Sequence, residues 1–244
     1  MANVSALTPV KEPSKADKKA SLTSNKLSTT ESEKSQFGVT GKLGTLGLGL
    51  DLTYGINDKI NARLNLNGAS ADADGEQDDI NYTGNLKGQT IGGLLDYHPT
   101  GGGFRISAGL YNNGNELDLD ATGANNSNVQ IGDRDYDLSG ATLNTKVEFK
   151  SIAPYLGLGW GNAVDKDSKW GFSADLGVLF QGAPEAKLKA TGIARDIETG
   201  LSADVGTDPT FQAELVKEQD NLNNGDLESF KFYPVVSVGV SYHF

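Results

Sequence analysis

Apolar and polar residues alternate one by one along most of this chain. The final segment, "VVSVGVSYHF", shows the pattern clearly, because Val236, Val238, Val240 and Tyr242 are separated by small or polar residues. A period of two predicts a β-strand with one apolar face and one polar face. Several such segments exceed the usual strand length of about five or six residues in soluble proteins. Any fold for this chain must therefore contain long strands with one apolar face and one polar face.

The strand count follows from the spacing of these segments. Seven strands are predicted at approximately 46–55, 59–70, 80–97, 103–120, 138–160, 168–190 and 229–244. Bacterial membrane barrels have an even number of strands, with both chain termini at the end that carries the short turns. "QFGVTGKLG" supplies the eighth strand, because Phe37, Val39 and Leu43 alternate with polar or small residues before the phase changes at Gly44–Thr45. We expect a tight turn there.

The pattern predicts an all-β fold, an eight-stranded antiparallel up-and-down transmembrane β-barrel with short periplasmic turns and longer extracellular loops. Long polar connections fall near residues 69–79, 121–137 and 191–228. The alternative interpretation is a soluble β-sandwich or lipocalin-like barrel, in which the apolar face forms the core. The membrane interpretation is favoured by strand length and by aromatic residues near strand ends, where interfacial girdles form. These are Phe37, Tyr54, Tyr97, Phe104, Trp160, Trp170, Phe180, Phe230, Tyr242 and Phe244.

The connection 191–228 contains "DPTFQAELVKEQDNLNN", which begins with proline and places Phe211, Leu215 and Leu222 at helical spacing. A short amphipathic helix on the outer rim and a disordered loop are both compatible with this segment.

Composition excludes several classes of protein. The net charge of -11 argues against a nucleic-acid partner, which needs a basic surface. There is no cysteine, and the two histidines, His98 and His243, are far apart, so we expect no metal site and no cofactor. No apolar run reaches the roughly 20 residues of a membrane helix.

The chain is predicted to have two parts, a flexible polar leader at 1–35 and a barrel at 36–244. The leader lacks the apolar core of a signal peptide, so we expect the sequence to be the mature form of an outer-membrane protein.

Charged residues on the polar faces are predicted to point into the lumen. The set contains four acids and four bases: Asp51, Arg63, Asp96, Arg105, Lys146, Glu148, Asp175 and Lys231. The interior of an eight-stranded barrel is only wide enough for side chains to fill it. Balanced charges there predict a closed, ion-paired plug, whereas incomplete pairing would leave a narrow conduit for small polar solutes.

Two acidic runs fall in the predicted outer loops, "ADADGEQDD" (residues 71–79) and "DRDYD" (residues 133–137). The first lacks the glycine and glutamate positions of a calcium loop, so solvated loops are favoured over weak divalent-cation or lipopolysaccharide binding. No catalytic residue is predicted, because "TGGGF" lacks the lysine of a phosphate loop and no serine lies in a nucleophile motif.

Several segments resemble the small eight-stranded outer-membrane proteins of Gram-negative bacteria, in particular the CarO-like and OmpW-like group. They are "GTLGLGLDLTYGINDKINARL", "GGGFRISAGLY", "IAPYLGLGWG", "WGFSADLGVLFQGAPEAKL" and the terminal aromatic strand. The resemblance covers about residues 36–244. It implies that the barrel-assembly machinery recognises the last strand, with Phe244 as the main signal and Tyr242 and Val240 beside it. The family is linked both to passage of small solutes and to structural roles.

The resulting functional prediction is a monomeric, narrow, porin-like channel for passive or gated passage of small solutes, with outer-membrane lipid and lipopolysaccharide as its surroundings. The alternative is a non-conducting structural or adhesion barrel with an ion-paired, closed lumen. A third hypothesis, a conduit for apolar ligands that opens laterally, requires an apolar pocket that the sequence does not reveal.

Overall fold

The computed structural model describes residues 36–77, 79–124, 127–165 and 167–244. The predicted leader at 1–35 and Asp78 of the first acidic run lie outside the described residues. The strands are β1 (Phe37–Gly44), β2 (Gly47–Asn57), β3 (Ile60–Gln77), β4 (Ile80–Tyr97), β5 (Phe104–Asn113), β6 (Glu116–Gly123), β7 (Asn128–Ile131), β8 (Arg134–Glu148), β9 (Ile152–Trp160), β10 (Trp170–Phe180), β11 (Glu185–Asp196), β12 (Ser202–Asp204) and β13 (Phe232–His243). A helix, α1 (Pro209–Asn224), and a 3₁₀ helix (Asp226–Lys231) precede β13.

Eight of these strands form a closed antiparallel ring in the order β1, β2, β3, β4, β5, β9, β10 and β13, and β13 pairs back with β1. This confirms the predicted eight-stranded barrel and excludes the sandwich. The first strand is also confirmed. It ends at Gly44, and a two-residue turn at Thr45–Leu46 leads into β2, where the phase of the pattern changes.

Three of the predicted strands are divided, and their two halves have different partners. The segment 104–123 is split into β5 and β6, 134–160 into β8 and β9, and 170–196 into β10 and β11. Near the short turns β4 pairs with β5, whereas further along it pairs with β6, which continues to β8, β11 and β12. The β1–β2 hairpin and β13 end too early to join this second sheet. We call the second sheet, with the outer halves of β3 and β4, β7 and α1, the extension.

The outward face of the ring is an apolar belt between two aromatic borders. Trp160, Trp170 and Phe244 are exposed at the short-turn end, and Phe180 and Phe232 are exposed at the other end. Ten residue steps separate Trp170 from Phe180 along β10. At about 3.4 Å per residue and a tilt of about 40°, the two borders lie about 26 Å apart along the barrel axis. This height equals that of the apolar band of outer-membrane barrels.

The alternation is inverted in the extension. Strand β4 pairs with β3 along its whole length without a register shift, so its even-numbered residues stay on one face. In the ring, Leu94 and Thr90 of this row are buried inside the lumen. In the extension, the same row presents Leu86 and Tyr82, while the outer row presents Lys87. The inner face therefore becomes apolar and the outer face polar, as in a protein surrounded by water.

A second hydrophobic core lies on the inner face of the extension, where α1 packs against β11 and β7. Phe211 and Leu215 of α1 are buried in it, and the Phe211 ring meets that of Tyr136 edge-on at 4.8 Å. The helix begins at Asp208, whose carboxylate accepts a hydrogen bond from the Phe211 amide at 2.8 Å. Of the two alternatives left open for this connection, the structure has the helix, whose apolar face packs on the inner face of the extension.

None of the helices within the described ranges has the length and apolar character needed to cross a membrane.

The carboxylates of α1 hold the turn between β7 and β8. Glu214 accepts a hydrogen bond from the Asp133 amide at 2.8 Å, and Glu218 accepts one from the Gly132 amide at 3.2 Å. Lys217 lies 2.8 Å from Glu214. The hydrogen bond from Lys217, together with that from the Asp133 amide, lowers the pKa of Glu214 below its ordinary value.

This contact predicts an acid-sensitive attachment of α1. A carboxylate with a lowered pKa in the folded state stabilises that state above its unfolded pKa of about 4.3, and this stabilisation is lost as the pH falls through the folded pKa. At pH 7, Glu214→Gln should speed hydrogen exchange of the Asp133 amide relative to wild type, and the two proteins should converge once the pH falls below the lowered pKa of Glu214. Glu228→Gln, which removes an exposed pair with Lys231, is the control. Equal exchange in wild type and Glu214→Gln at pH 7 would contradict the prediction.

The apolar belt predicts that two lysine substitutions change the free energy of unfolding by very different amounts. Val238 lies outward in the ring, where it pairs with Leu43 and Ala174. Val238→Lys should lower the free energy of unfolding by about 2–4 kcal/mol in lipid bilayers, since it buries an ammonium group in hydrocarbon. Asn144→Lys on the polar outer face of β8 should change it little. Reversible urea unfolding in vesicles measures both, and equal effects would show that the belt is not covered by lipid.

Candidate functional site

Arg63 of β3 is the centre of an ionic network inside the ring. Its guanidinium lies 3.1 Å from Asp51 of β2, 2.9 Å from Asp96 of β4 and 3.3 Å from Asp175 of β10. All four side chains are almost completely buried. Three carboxylates from three strands therefore converge on one cation, and none of them can be exposed to bulk water.

Two more cations complete the charge balance. Lys42 of β1 lies 3.1 Å from Asp51, and Arg105 of β5 lies 2.7 Å from Asp175. Lys42, Arg63 and Arg105 thus balance Asp51, Asp96 and Asp175. We call these six residues the Arg63 network. Since buried charges are stable only when they are paired and hydrogen-bonded, the neutral sum explains why the chain tolerates them.

Serine hydroxyls add further hydrogen bonds to the network. Ser107 donates to Asp96 at 2.5 Å, and Ser237 donates to Asp175 at 3.3 Å. Ser173 accepts from Arg105 at 3.0 Å, and Arg105 also donates to the Gly161 carbonyl. Through these bonds the network reaches β13 and the end of β9, so it ties together all eight strands of the ring.

Space for these side chains comes from glycine on the same strand or on the neighbouring strand. A Cβ at Gly159 would lie 2.7 Å from the Arg105 Nε atom. Further along the lumen, a Cβ at Gly157 or Gly177 would overlap the Tyr155 hydroxyl. The interior is thus filled by large side chains that pack directly against the backbone of glycine residues.

Beyond the network, toward the extension, the lumen is filled by an apolar layer that we call the tyrosine plug. Tyr111 and Tyr155 are its largest members, with ring centroids 5.6 Å apart in an edge-on arrangement. The layer consists of Leu94, Tyr111, Ala153, Tyr155, Leu179 and Val235. It separates the network from the extension.

The open space in the lumen is distributed unevenly. The cavity beside the Arg63 network measures about 10 Å³, which is about the space of a single water molecule. At the short-turn end a vestibule of about 440 Å³ is lined mainly by polar residues, including Asn61, Asn162 and Asp165. Asn61 hydrogen-bonds His98 at 3.2 Å and Asn162 at 3.1 Å between the two spaces.

The structure brings five of the eight predicted lumen residues together, namely Asp51, Arg63, Asp96, Arg105 and Asp175. The sequence analysis missed Lys42. The signal was present, because Lys42 lies between the outward residues Gly41 and Leu43 of the first alternating segment.

The other three predicted lumen residues lie elsewhere, and their assignment is corrected. Lys146 and Glu148 lie on the outer face of the extension, where Lys146 pairs with Glu116 at 2.8 Å and Glu148 pairs with Lys187 at 2.6 Å. The inverted alternation places polar residues outward at this level. Lys231 belongs to the 3₁₀ helix and pairs with Glu228 at 2.9 Å.

The predicted assembly residues lie on the outside of β13 and at its end. Val240 is an exposed part of the belt, and Tyr242 packs edge-on against Trp170 at 4.9 Å and Phe244 at 5.3 Å. Their recognition by assembly machinery stays a prediction.

The described part of the first acidic run is strand and not loop. Asp72, Asp74 and Glu76 alternate along β3, and Asn85 donates a hydrogen bond to Asp72. In the second run, Asp133 pairs with Lys217 at 2.9 Å. Within the described ranges, no group of three or more histidine or acidic side chains is placed to hold a metal ion.

A closed eight-stranded ring, an apolar belt with aromatic borders and a charge-balanced interior define this fold as a transmembrane β-barrel of the outer-membrane type.

The comparison with solved structures agrees with this assignment of the fold. The chain is similar to CarO from Acinetobacter baumannii, with 22% identity, a TM-score of 0.55 and coverage of 85% of this chain and 97% of CarO. It is also similar to CarO2 from the same organism, with 21% identity, a TM-score of 0.56 and coverage of 87% and 100%. The predicted likeness to CarO-like barrels is confirmed at the level of the fold. No protein-family model and no curated protein matches the chain.

The network predicts unequal costs for its two arginines. Arg63→Met should destabilise the barrel by about 3–5 kcal/mol, since Asp96 would retain only the Ser107 hydroxyl as a partner. Arg105→Met should cost less, because Asp175 would keep Arg63. Urea unfolding in lipid vesicles measures both.

Two further variants control this experiment. Lys187→Met removes an exposed ion pair and should have little effect. Adding Asp96→Asn to Arg63→Met should recover part of the loss, because it neutralises the orphaned carboxylate. An Arg63→Met protein as stable as Lys187→Met would contradict the assignment of Arg63 as the centre of the network.

Proposed function

We propose that this chain is a monomeric outer-membrane β-barrel of a Gram-negative cell whose lumen is closed at rest, and that its function lies in the extension that it displays at the cell surface. The observation that carries the proposal is the filled lumen. The Arg63 network and the tyrosine plug form two successive layers, and the space beside the network holds about one water molecule.

Both layers oppose the passage of a solute. Opening the network separates buried opposite charges, which costs several kcal/mol for each ion left unpaired. Opening the tyrosine plug also breaks the close fit between Tyr155 and the backbone at Gly157 and Gly177. A polar solute would have to disrupt both layers, whereas neither layer opposes a structural role.

The extension has the surface expected for contacts outside the membrane. Its outer face carries acids and bases on neighbouring strands, including Asp74, Lys87, Asp118 and Lys146. Such a face suits contacts with the charged groups of lipopolysaccharide or with a surface partner. In this arrangement the barrel anchors the extension to the membrane.

The vestibule favours a second candidate, the gated passage of small polar solutes. It measures about 440 Å³, is lined mainly by amides and carboxylates, and ends at the network. In that case the Arg63 network would be the gate, and a change in the pairing of Arg63 or Arg105 would open it.

Planar-bilayer recording separates the two candidates. Purified wild-type protein should give no current steps above those of lipid alone, because both layers are closed. The triple variant Arg105→Ser, Tyr111→Ala, Tyr155→Ala should give measurable openings, because it thins both layers at once. The matched control Tyr111→Phe, Tyr155→Phe keeps the rings and should stay silent.

Reproducible current steps from the wild-type protein would overturn the closed barrel and support the gated channel. Silence from a triple variant that is folded, as shown by its resistance to trypsin, would show that the two layers are not the barrier.

A further inference from the structure

The extension contains a cavity of its own, separate from the lumen of the ring. It measures about 150 Å³ and lies between β8, β11, the segment around β12 and the first turn of α1. We call it the Tyr136 cavity. Its lining includes Arg134, Tyr136, Asp196, Leu201, Asp208 and Phe211.

The walls are mostly apolar. Tyr136 and Phe211 contribute aromatic rings that meet edge-on, and Ala194 and Val205 are buried beside them. Leu201 is 71% exposed, so the cavity is bordered by a residue in contact with solvent. An engineered apolar cavity of about this size in another protein holds a benzene molecule. A ligand with a compact apolar body therefore fits.

The Tyr136 hydroxyl is the second observation that points to a ligand. The residue is 4% exposed, and its buried oxygen has no hydrogen-bond partner among the residues that the structure describes. Burial raises the pKa of this hydroxyl above its ordinary value. A buried hydroxyl without a partner is unfavourable, and a ligand with one hydrogen-bonding group at this position would remove the penalty.

The charges on the lining select the type of polar group. Arg134 and Asp196 form a pair at 2.9 Å and cancel each other. Asp208, which caps α1, leaves the lining with a net charge of -1. A cationic group is favoured over a neutral one, and an anion is disfavoured.

We propose that the Tyr136 cavity binds a small organic cation, with a compact aromatic or branched apolar body and one ammonium group that hydrogen-bonds Tyr136. The site goes beyond the anchoring role proposed above and is independent of whether the lumen conducts. It gives the extension a chemical selectivity that its charged outer face lacks.

Three probes of the same shape test the proposal on the full chain in detergent micelles: benzylammonium, benzyl alcohol and benzoate. Titration followed by amide chemical shifts should give saturable binding of benzylammonium at residues of the cavity. Binding of benzyl alcohol should be about tenfold weaker, and benzoate should not bind. Binding of benzoate equal to that of benzylammonium, or no saturable binding of any probe up to 20 mM, a ceiling set on the order of weak millimolar affinity, would overturn the proposal.

Two variants separate the polar contributions. Tyr136→Phe should weaken benzylammonium binding about tenfold without lowering the thermal stability of the free protein, since the lost hydroxyl has no partner there. Asp208→Asn keeps the helix cap, because asparagine caps as well as aspartate. It should weaken benzylammonium binding severalfold and leave benzyl alcohol binding unchanged.

Tyr82→Phe, at an exposed tyrosine of β4, is the control for Tyr136→Phe and should bind all probes as the wild type does. Wild-type affinity for benzylammonium in both Tyr136→Phe and Asp208→Asn would place the probe outside the cavity and overturn the proposal. If Tyr136→Phe does not fold, Asp208→Asn and the order of the three probes still decide the question.

Discussion

Arg63 contacts carboxylates from β2, β4 and β10, and the interior of the ring is arranged around that guanidinium. Eight strands close with room for side chains only, so whatever points inward must fill the space completely. A planar group with five donors can satisfy several carboxylates at once. Lys42 and Arg105 then restore neutrality, and glycine on the same or the neighbouring strand provides space. Replacing Arg63 therefore affects the radius, the charge balance and the hydration of the lumen together.

A change of solvent along the strands explains the rest of the architecture. Where lipid surrounds the ring, apolar residues face outward, and the lumen holds the polar Arg63 network together with the tyrosine plug. Beyond the aromatic border the surroundings become aqueous, and the two faces exchange roles on the same strands. Strand β4 shows this exchange, because its inner row carries Asp96 and Thr90 in the ring but Leu86 and Tyr82 in the extension. The helix α1 covers the part of the apolar inner face that β11 and β7 form.

The period of two was sufficient to predict the closed barrel, its strand number and five of the six network residues, because lipid and lumen each impose one face. The same rule assigned Lys146 and Glu148 incorrectly to the lumen, because the alternation alone does not show where along a strand the membrane ends. The sequence pattern also did not predict which strands pair with each other in the extension. They depend on the early end of β1, β2 and β13, which is a property of the whole ring. The tyrosine plug was missed because Tyr111 and Tyr155 resemble ordinary strand aromatics, and the space that Gly92, Gly157 and Gly177 leave for their rings is visible only in the folded barrel.

The ladder between β1 and β13 has a consequence for the order of folding. Its seven pairs join residues as distant as Gly38 and His243, while the β1–β2 and β3–β4 hairpins join neighbours. Closing a loop of this length costs about 5 kcal/mol of chain entropy before any contact is gained. Until that ladder forms, two rows of backbone amides and carbonyls have no partner in a medium without water. Because the hairpins avoid this entropy cost, we expect them to form before the seam, and opening the seam would again leave both rows without partners.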